Sequence, residues 1–246
     1  WLLPSNGFLL LRFIEASGHK SEEQRASPDQ THFETSQKEL NDQVHAVRAF
    51  TPQPGVEVPL GTTRPLPCFE NSNVDLELGA GTGMFALNYA EQHQERHLIA
   101  IEQTVNKFNT FNRAVELHQP HNLTPVHADA ALWVERYVPE HSIERLFILY
   151  PNPYPKKKHR NLRWHYMPAM HAILNVMQPG SLISLCTNLR WLIDEAAIQF
   201  HQGWKLDLVA LETIQPGSRA PLTRFEKKYL ERGETCFELR LRVPDR

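Results

Sequence analysis

Residues Val74–Gly83 read VDLELGAGTG and decide the fold, because an apolar run ends in three glycines and a helical pattern follows at once. The run Val74–Leu78 predicts a buried strand. Phe85, Ala86 and Tyr89 predict that a helix begins directly after the glycines. Glycines two residues apart let the main chain turn sharply and let a ligand approach the bare backbone. The sequence therefore predicts a strand, a ligand-binding turn and a helix in succession.

Strand-like and helix-like stretches alternate along the chain from residue 74 onward. The strand-like runs are Val74–Leu78, His97–Ile101, Leu123–His127, Leu146–Leu149 and Leu182–Cys186. Helical spacing defines two apolar faces, Phe108, Phe111 and Val115 on the first and Tyr166, Met170, Ile173 and Met177 on the second. Alternation at this pace is typical of a doubly wound α/β fold, in which helices cover both faces of a mostly parallel sheet.

Two further strand-like runs, Leu206–Ile214 and Cys236–Val243, lie at the end of the chain. Only a short helical pattern separates them, whereas parallel neighbours need a long crossover connection. We therefore expect these two strands to pair antiparallel. The predicted domain, residues 74–246, then has a mostly parallel seven-stranded sheet with an antiparallel C-terminal strand.

Residues 1–73 are predicted to form an N-terminal extension and linker. Trp1–Ile14 is apolar, but a proline and polar residues interrupt it, and it is too short to span a bilayer. Residues 15–35 are polar and lack an apolar period, as linkers do. A capping-box pattern predicts a short amphipathic helix near 36–50, and five prolines predict an extended connector over 51–73.

Composition restricts the classes of function. The net charge of −2 excludes a uniformly basic nucleic-acid coat, so any phosphate binding must come from local patches. Cys68, Cys186 and Cys236 form no CxxC pair, which favours reduced thiols in the cytoplasm. The closest histidine pairs have no third ligand nearby, so we predict no metal site. The sequence leaves monomer and homodimer open.

Three acidic residues stand where predicted strands end: Glu77, Glu102 and Asp129. Doubly wound sheets bind ligands at this edge. A carboxylate at Glu102 can accept hydrogen bonds from two ribose hydroxyls, and Asp129 is placed for an adenine amino group. The spacing GxGxG differs from the dinucleotide pattern GxGxxG. An acid beside the turn also suits a ligand with an amino group better than it suits a pyrophosphate.

This arrangement resembles the first motif of class I S-adenosylmethionine-dependent methyltransferases, which have a Rossmann-like fold. The resemblance implies that S-adenosylmethionine is the cofactor. It also implies a cofactor site of six residues, Glu77, Gly79, Gly81, Gly83, Glu102 and Asp129.

A proline-rich and then basic stretch, Tyr150–Arg163, follows the fourth predicted strand and reads YPNPYPKKKHRNLR. Prolines cannot continue a central strand, so the chain must leave the sheet there in a stiff, extended turn. The lysines and arginines that follow are suited to phosphate groups. A rigid turn followed by a positive arm is therefore expected to hold a base and grip a nucleic-acid backbone.

The stretch resembles the proline- and lysine-rich motif of bacterial tRNA (guanine-N7)-methyltransferases, in which the fourth strand ends Pro-Asp-Pro-Trp. Here Pro151–Tyr154 reads PNPY. A second signature, Thr223–Glu226 (TRFE), resembles the family's Thr-Lys-Phe-Glu. Thr187 and Asn188 occupy the place of a family Thr-Asp. The resemblance covers about residues 70–243, with every motif in order.

The resemblance implies roles for the residues around the transferred methyl group. Asn152 would complete the cofactor site at its rim and would be the catalytic residue, because transfer occurs there. The residues that would face tRNA are Lys156, Asn188, Thr223, Arg224, Phe225 and Glu226. Because guanine N7 carries a lone pair and no proton, transfer there needs no general base, only alignment with the methyl group and exclusion of water. The tract Lys156–Arg163 would contact phosphates without reading sequence.

Two positions depart from the family pattern, because Asn152 and Asn188 replace aspartates. Asparagine keeps one acceptor oxygen but cannot balance the positive charge that develops on a base methylated at N7. Losing a charge-assisted contact costs about 1.5–3 kcal/mol, which corresponds to roughly tenfold or more in rate. The pair therefore predicts a reaction that is slowed, silenced or redirected.

Two other hypotheses stay open at this level. The order Asn-Pro-Tyr-Pro at 152–155 is similar to the Asn-Pro-Pro-aromatic motif of methyltransferases that act on amino groups of bases or of glutamine, although the aromatic and the second proline are exchanged. A non-catalytic RNA-binding relative that retains the fold is the other alternative. Identification of the methylated atom separates the first two hypotheses, and tRNA binding without methyl transfer would indicate the third.

Overall fold

The computed structural model describes residues 44–51, 55–70 and 73–245. The strands are β1 Asn73–Leu78, β2 Arg96–Glu102, β3 Leu123–His127, β4 Ile143–Leu149, β5 Met177–Thr187, β6 Asp207–Ile214 and β7 Cys236–Arg242. The α-helices are α1 Met84–Gln92, α2 Val105–His118, α3 Ala130–Tyr137, α4 Met170–Val176, α5 Arg190–Ile198 and α6 Arg224–Glu231. Two 3₁₀ turns, Lys157–Leu162 and Trp164–Tyr166, follow β4, and a π-helical turn, Gln199–Gly203, ends α5.

The strands form one sheet in the order β3-β2-β1-β4-β5-β7-β6. Strands β1 to β5 pair in parallel, and β7 runs antiparallel to both β5 and β6. The predicted fold class is confirmed. The chain proceeds from β1 outward to β3 and then returns to β4 on the other side of β1. The carboxyl ends of β1 and β4 therefore border the crevice in which doubly wound sheets bind ligands.

The core consists of the two sheet faces and the helices that cover them. Val74 and Leu76 of β1 and Leu146 and Ile148 of β4 have no exposed surface. Asp75 and Glu77, which alternate with these apolar residues in β1, are buried as well, so β1 is covered on both faces. Phe111 of α2 is also fully buried, as the helical face predicted.

The second predicted helical face does not belong to a single helix. Helix α4 covers only Met170–Val176, Tyr166 lies in a 3₁₀ turn, and Met177 already begins β5. Pro168 separates the turn from the helix, because proline disfavours the helical conformation of the residue before it. Strand β5 also starts earlier than predicted. An irregularity in its pairing with β4, with Gly180 at a φ of 76°, accommodates the additional residues.

The described residues before β1 contain no helix or strand. Residues 44–51 are not helical, and the rest of the helix predicted near 36–50 lies outside the described residues, as do Trp1–Ile14 and 15–35. Residues 55–70, which we call the connector, are extended as predicted and pack along β3 and α3. Within the connector, the Leu60 carbonyl oxygen accepts a hydrogen bond from Trp133 Nε1 at 2.8 Å. The predicted domain boundary at residue 73 stays a prediction.

The described residues lack the features of a membrane helix, a metal site and a disulfide. No helix among them is long and apolar enough to cross a membrane. No group of three histidine, cysteine, aspartate or glutamate side chains among them is arranged to hold a metal ion. Cys68, Cys186 and Cys236 are not joined in disulfides.

Candidate active site

The glycine-rich loop between β1 and α1 divides its three glycines between two tasks. Gly79, Gly81 and Gly83 have φ values of 84°, 60° and 82°, in the left-handed region that favours glycine. A Cβ atom at Gly79 or Gly81 would meet no atom within 4 Å, whereas at Gly83 it would lie 2.0 Å from Cδ2 of Phe111. The first two glycines thus leave bare backbone for a ligand. Gly83 makes room for α2.

Substitution of these glycines is expected to separate stability from ligand binding. Gly83→Ala should lower the free energy of unfolding by about 3 kcal/mol, through backbone strain and the clash with Phe111. Gly81→Ala should cost only about 1–2 kcal/mol but lower the affinity for the ligand of the loop at least about tenfold. Denaturant unfolding and titration calorimetry measure the two effects. Equal losses of stability in both variants would contradict this assignment.

Glu77 is a buried carboxyl group without a partner. Its side chain is 1% exposed, and Oε2 has no hydrogen-bond donor among the described residues. Burial, reinforced by repulsion from Glu102, raises the pKa of Glu77 to about 8. The group is therefore mostly neutral at pH 7. An ammonium group placed against Oε2 would supply both the missing partner and the charge that favours ionisation.

Glu102, at the end of β2, ties the glycine-rich loop to the sheet. Its Oε2 accepts a hydrogen bond from the Gly81 N–H at 2.8 Å, and its Oε1 accepts one from the Thr104 N–H at 2.7 Å. Each carboxylate oxygen has two lone pairs, so both retain an acceptor position for a ribose hydroxyl. This ligand contact stays a prediction. Its loop-holding role was not anticipated from the sequence.

Asp129 is the N-cap of α3. Its Oδ1 accepts hydrogen bonds from the backbone N–H groups of Ala131 at 3.0 Å and Leu132 at 3.2 Å. Its Oδ2 accepts one from Nε2 of Gln103 at 3.3 Å. The aspartate therefore satisfies two N–H groups of the first helical turn, which is a structural task that accounts for its position. Its predicted contact with adenine stays a prediction.

A cavity of about 350 Å³ opens at the carboxyl ends of β1 and β4. Its wall combines four parts of the chain: Glu77 with the glycine-rich loop and the start of α1, Lys107 of α2, the end of β4, and the first half of α6. The residues of the last two parts that line it are Leu149, Tyr150, Thr223, Arg224, Phe225 and Lys228. The structure thus places the predicted cofactor motif and the TRFE motif, which are far apart in sequence, around one cavity.

The start of α6 is held by a network centred on Glu226. Thr223 Oγ1 accepts a hydrogen bond from the Glu226 N–H at 3.1 Å, and Glu226 Oε2 accepts one from the Leu222 N–H at 3.1 Å. Arg219 Nη2 lies 2.8 Å from Glu226 Oε1. Burial raises the pKa of Glu226, and the Arg219 charge opposes this rise. Glu226 has no exposed surface, so in this structure it supports the helix while its neighbour Phe225 faces outward.

The proline loop, Pro151–Pro155, leaves β4 in a strained conformation. Tyr150 and Tyr154 have φ values of 53° and 42°, which are uncommon for bulky residues. Asn152 is exposed, and its Oδ1 accepts a hydrogen bond from the Tyr154 N–H at 3.4 Å. The side chain of Asn152 therefore stabilises the turn in which it lies.

Asn152 and Asn188 lie at the same edge of the sheet but do not line the cavity. They follow β4 and β5, whose last residues are paired through the hydrogen bond from the Tyr150 N–H to the Cys186 carbonyl oxygen at 2.8 Å. Asn188 is half-buried, and Lys156 is exposed at the start of the basic tract. Their predicted roles toward transfer and tRNA stay predictions.

Two cations at the cavity were not predicted from the sequence. Lys107 of α2 and Lys228 of α6 are exposed and line it together with Arg224. No described acidic group lies within ion-pair distance of these three side chains, whereas Lys227, also on α6, pairs with Glu231 at 3.7 Å. Lys107 comes five residues after Glu102, the last residue of β2, and this position was the only sequence feature that placed it near the cavity. Lys107 belongs to no motif.

The sheet order, the glycine-rich loop and the orphaned Glu77 carboxyl define a class I methyltransferase, dependent on S-adenosylmethionine. The family model described as "Putative methyltransferase" matches residues 71–239, and the chain belongs to that family. Curated relatives narrow this further: the chain is a member of the tRNA (guanine-N7)-methyltransferase family. The resemblance inferred from the motifs is thereby confirmed.

Three relatives, each named tRNA (guanine-N(7)-)-methyltransferase, illustrate the similarity. The protein of Lacticaseibacillus casei is 30% identical over 169 residues, which are 67% of this chain and 78% of the relative. That of Lactiplantibacillus plantarum is 30% identical over 168 residues, which are 65% and 76% of the two chains. That of Thermotoga maritima is 22% identical over 167 residues, 68% of this chain, and there the match spans only 52% of the relative.

Solved structures with a similar fold include two ribosomal RNA methyltransferases. The 16S rRNA (adenine(1408)-N(1))-methyltransferase of Catenulisporales acidiphilia, a mutant form with cosubstrate SAM, has a TM-score of 0.53 at 14% identity, covering 76% of this chain and 96% of that one. The 30S ribosomal A1408 methyltransferase from an uncultured bacterium has a TM-score of 0.51 at 12% identity, covering 76% and 100%. At this identity the similarity concerns the fold alone.

Proposed function

We propose that this protein transfers a methyl group from S-adenosylmethionine to N7 of a guanine in tRNA, in the cytoplasm. The observation that carries the proposal is the shared cavity: Glu77 and the glycine-rich loop form one side, and Thr223–Phe225 forms another. A cofactor motif and a family substrate motif thus meet where a methyl group and its acceptor must meet. The names of the curated relatives support the same substrate.

The residues of the cavity fit the cofactor and the alignment that the reaction needs. S-adenosylmethionine, when bound, supplies an electrophilic methyl group on sulfur. Glu77 offers an unpartnered acceptor for the amino group, and Gly79 and Gly81 leave room for close approach. Phe225 is 51% exposed at the cavity, where its ring can pack on a base and exclude water. Because N7 has no proton to lose, we assign no residue as general base.

The unpaired cations at the cavity are proposed to contact phosphate groups of the bound tRNA. Lys107, Arg224 and Lys228 surround a cavity whose buried carboxyl, Glu77, is mostly neutral at pH 7 without ligand. These cations would favour an anionic substrate. These contacts would complement those of Lys156, Lys157 and Lys158, the exposed lysines of the basic tract.

Neutralising two of these cations should weaken tRNA binding in a salt-dependent way. Lys107→Gln combined with Lys228→Gln should lower tRNA affinity and reduce the slope of log affinity against log salt by about one to two. Lys227→Gln is the matched control, because Lys227 lies on the same helix and pairs with Glu231. Filter binding at several salt concentrations measures the slope. An unchanged slope in the double variant would remove these lysines from the RNA contact surface.

Methyl transfer to unmodified tRNA, followed by nucleoside analysis, tests the proposed function. We expect label from S-adenosylmethionine in 7-methylguanosine. Label on an exocyclic amino group would instead support an amino-methyltransferase that uses the Asn-Pro-Tyr-Pro order. If tRNA binds but no label transfers, even with aspartate at positions 152 and 188, the protein is a non-catalytic RNA-binding relative.

A further inference from the structure

The guanidinium group of Arg163 holds the proline loop by three hydrogen bonds. Its Nε donates to the carbonyl oxygens of Pro153 at 3.2 Å and Tyr154 at 3.3 Å, and its Nη2 donates to that of Tyr154 at 3.0 Å. The Arg163 side chain is only 7% exposed. One rigid fork therefore fixes two successive carbonyl groups of the loop.

Glu195 and Trp191, both on α5, hold the same guanidinium from another direction. Arg163 Nη1 lies 2.5 Å from Glu195 Oε2, and Arg163 Cζ lies 4.8 Å from the centre of the Trp191 ring. Glu195 is itself oriented by the hydroxyl of Tyr166, which donates to its Oε1 at 3.0 Å. The guanidinium therefore has little freedom to move.

These contacts act on the most strained part of the loop. Tyr154 has a φ of 42°, and a left-handed conformation costs an L-residue about 1–2 kcal/mol. Its N–H donates to Asn152 Oδ1, and its carbonyl oxygen accepts from Arg163. Both ends of one residue are thus fixed, as expected where surrounding contacts impose a strained conformation.

We propose that Arg163 and Glu195 are a positioning pair. During methyl transfer they hold the proline loop, which carries Asn152, in place relative to the segment after β5, which carries Asn188. Arg163 grips the loop that carries Asn152, and Glu195 lies on α5, which begins two residues after Asn188. The ion pair links the segments that follow two neighbouring strands. Neither side chain lines the cavity at the glycine-rich loop. This inference rests on the proposed function, because it assumes that the segments carrying Asn152 and Asn188 lie next to the base that accepts the methyl group.

The test compares two buried arginines of equal exposure. Arg163→Lys keeps the charge but loses the fork, and we expect at least a tenfold fall in kcat for tRNA methylation. KM for tRNA and the affinity for S-adenosylhomocysteine, the demethylated product, should stay within about twofold. Arg96→Lys is the matched control: Arg96 is also 7% exposed and pairs with Asp75 at 2.5 Å, at the start of β2. It should lose stability without loss of kcat.

Amide hydrogen exchange gives a readout that does not depend on activity. Exchange over residues 151–163 should accelerate at least tenfold in Arg163→Lys and stay unchanged in Arg96→Lys. If Arg163→Lys does not fold, Tyr166→Phe serves instead, because it removes only one donor to Glu195, and it should show a smaller change of the same kind. Unchanged kcat with unchanged exchange overturns the inference, and so does equal loss of kcat in the Arg96 control. If wild-type protein methylates no tRNA, the proposed function fails, whereas the exchange data still decide whether the pair holds the loop.

Discussion

Replacing Glu77 by glutamine is expected to weaken the binding of S-adenosylhomocysteine at pH 8 by about tenfold to a hundredfold. The substitution keeps the shape of the side chain but removes the carboxylate that would meet the amino group of the ligand. A lost hydrogen bond to a charged group costs about 1.5–3 kcal/mol. Titration calorimetry measures the loss. Binding within twofold of wild type would show that the ligand does not contact Glu77.

The raised pKa of Glu77 adds a second, sharper readout. In the free protein the carboxyl has a pKa of about 8 and is mostly protonated at pH 7. An adjacent ammonium group favours the ionised form, so binding should release up to one proton. Affinity should then increase with pH below about 8, by no more than about tenfold per pH unit. Calorimetry in two buffers of different ionisation enthalpy detects the released proton, which should be absent in Glu77→Gln.

The raised pKa of Glu77 also predicts how the stability of Glu77→Gln should differ from that of the wild type as the pH changes. Between the ordinary carboxyl pKa of 4.5 and about 8, the folded protein holds a proton that the unfolded chain has lost. The contribution of Glu77 to the free energy of unfolding should therefore fall as pH rises through this range. In Glu77→Gln that fall should be absent. A variant that is as stable as wild type at pH 5 and more stable at pH 8 would separate lost binding from lost folding.

Restoring aspartate at positions 152 and 188 is expected to increase the rate of guanine N7 methylation. The product base carries a positive charge, and a nearby carboxylate stabilises the developing charge in a way that an amide cannot. A gain of about 1.5–3 kcal/mol corresponds to roughly tenfold or more in kcat. The turn should survive, because aspartate retains the acceptor that Asn152 Oδ1 offers to the Tyr154 N–H.

A charge control accompanies the restoration. Asn161→Asp adds one negative charge, against two in the double variant, to an exposed residue of the basic tract, and it should weaken tRNA binding slightly without raising kcat. Single-turnover methyl transfer with saturating tRNA isolates the chemical step. A double variant no faster than wild type would mean that the two asparagines are not close to the reacting base.

Much of the fold could be predicted because its determinants are local. The strand β1 begins within one residue of the predicted Val74, since Val74, Leu76 and Leu78 recur at the two-residue period of a strand. The glycine-rich loop was recognised from spacing alone. The helix predicted across Tyr166–Met177 was wrong in extent, because Pro168 and the irregularity near Gly180 divide the segment, and neither effect is visible in the apolar period.

The candidate site was predictable only where a motif marks it. The spacing from Thr223 to Glu226 is also a capping-box pattern, so the structural task of Glu226 was available in the sequence. The N-cap role of Asp129 had a similar local signal. By contrast, Lys107 and Lys228 meet at the cavity through tertiary folding, and Arg163 and Glu195 pair across distant elements. No spacing rule connects such residues.

The connector has a consequence for association between molecules. β3 is one of the two edge strands of the sheet, and residues at both of its ends are hydrogen-bonded to the connector. The His127 N–H donates to the Gly61 carbonyl oxygen at 2.7 Å, and the Leu123 carbonyl oxygen accepts from Arg64 Nη1 at 3.2 Å. A foreign strand would have to displace these bonds before it could dock there. The connector thus protects the β3 edge of the sheet from pairing with a strand of a second molecule.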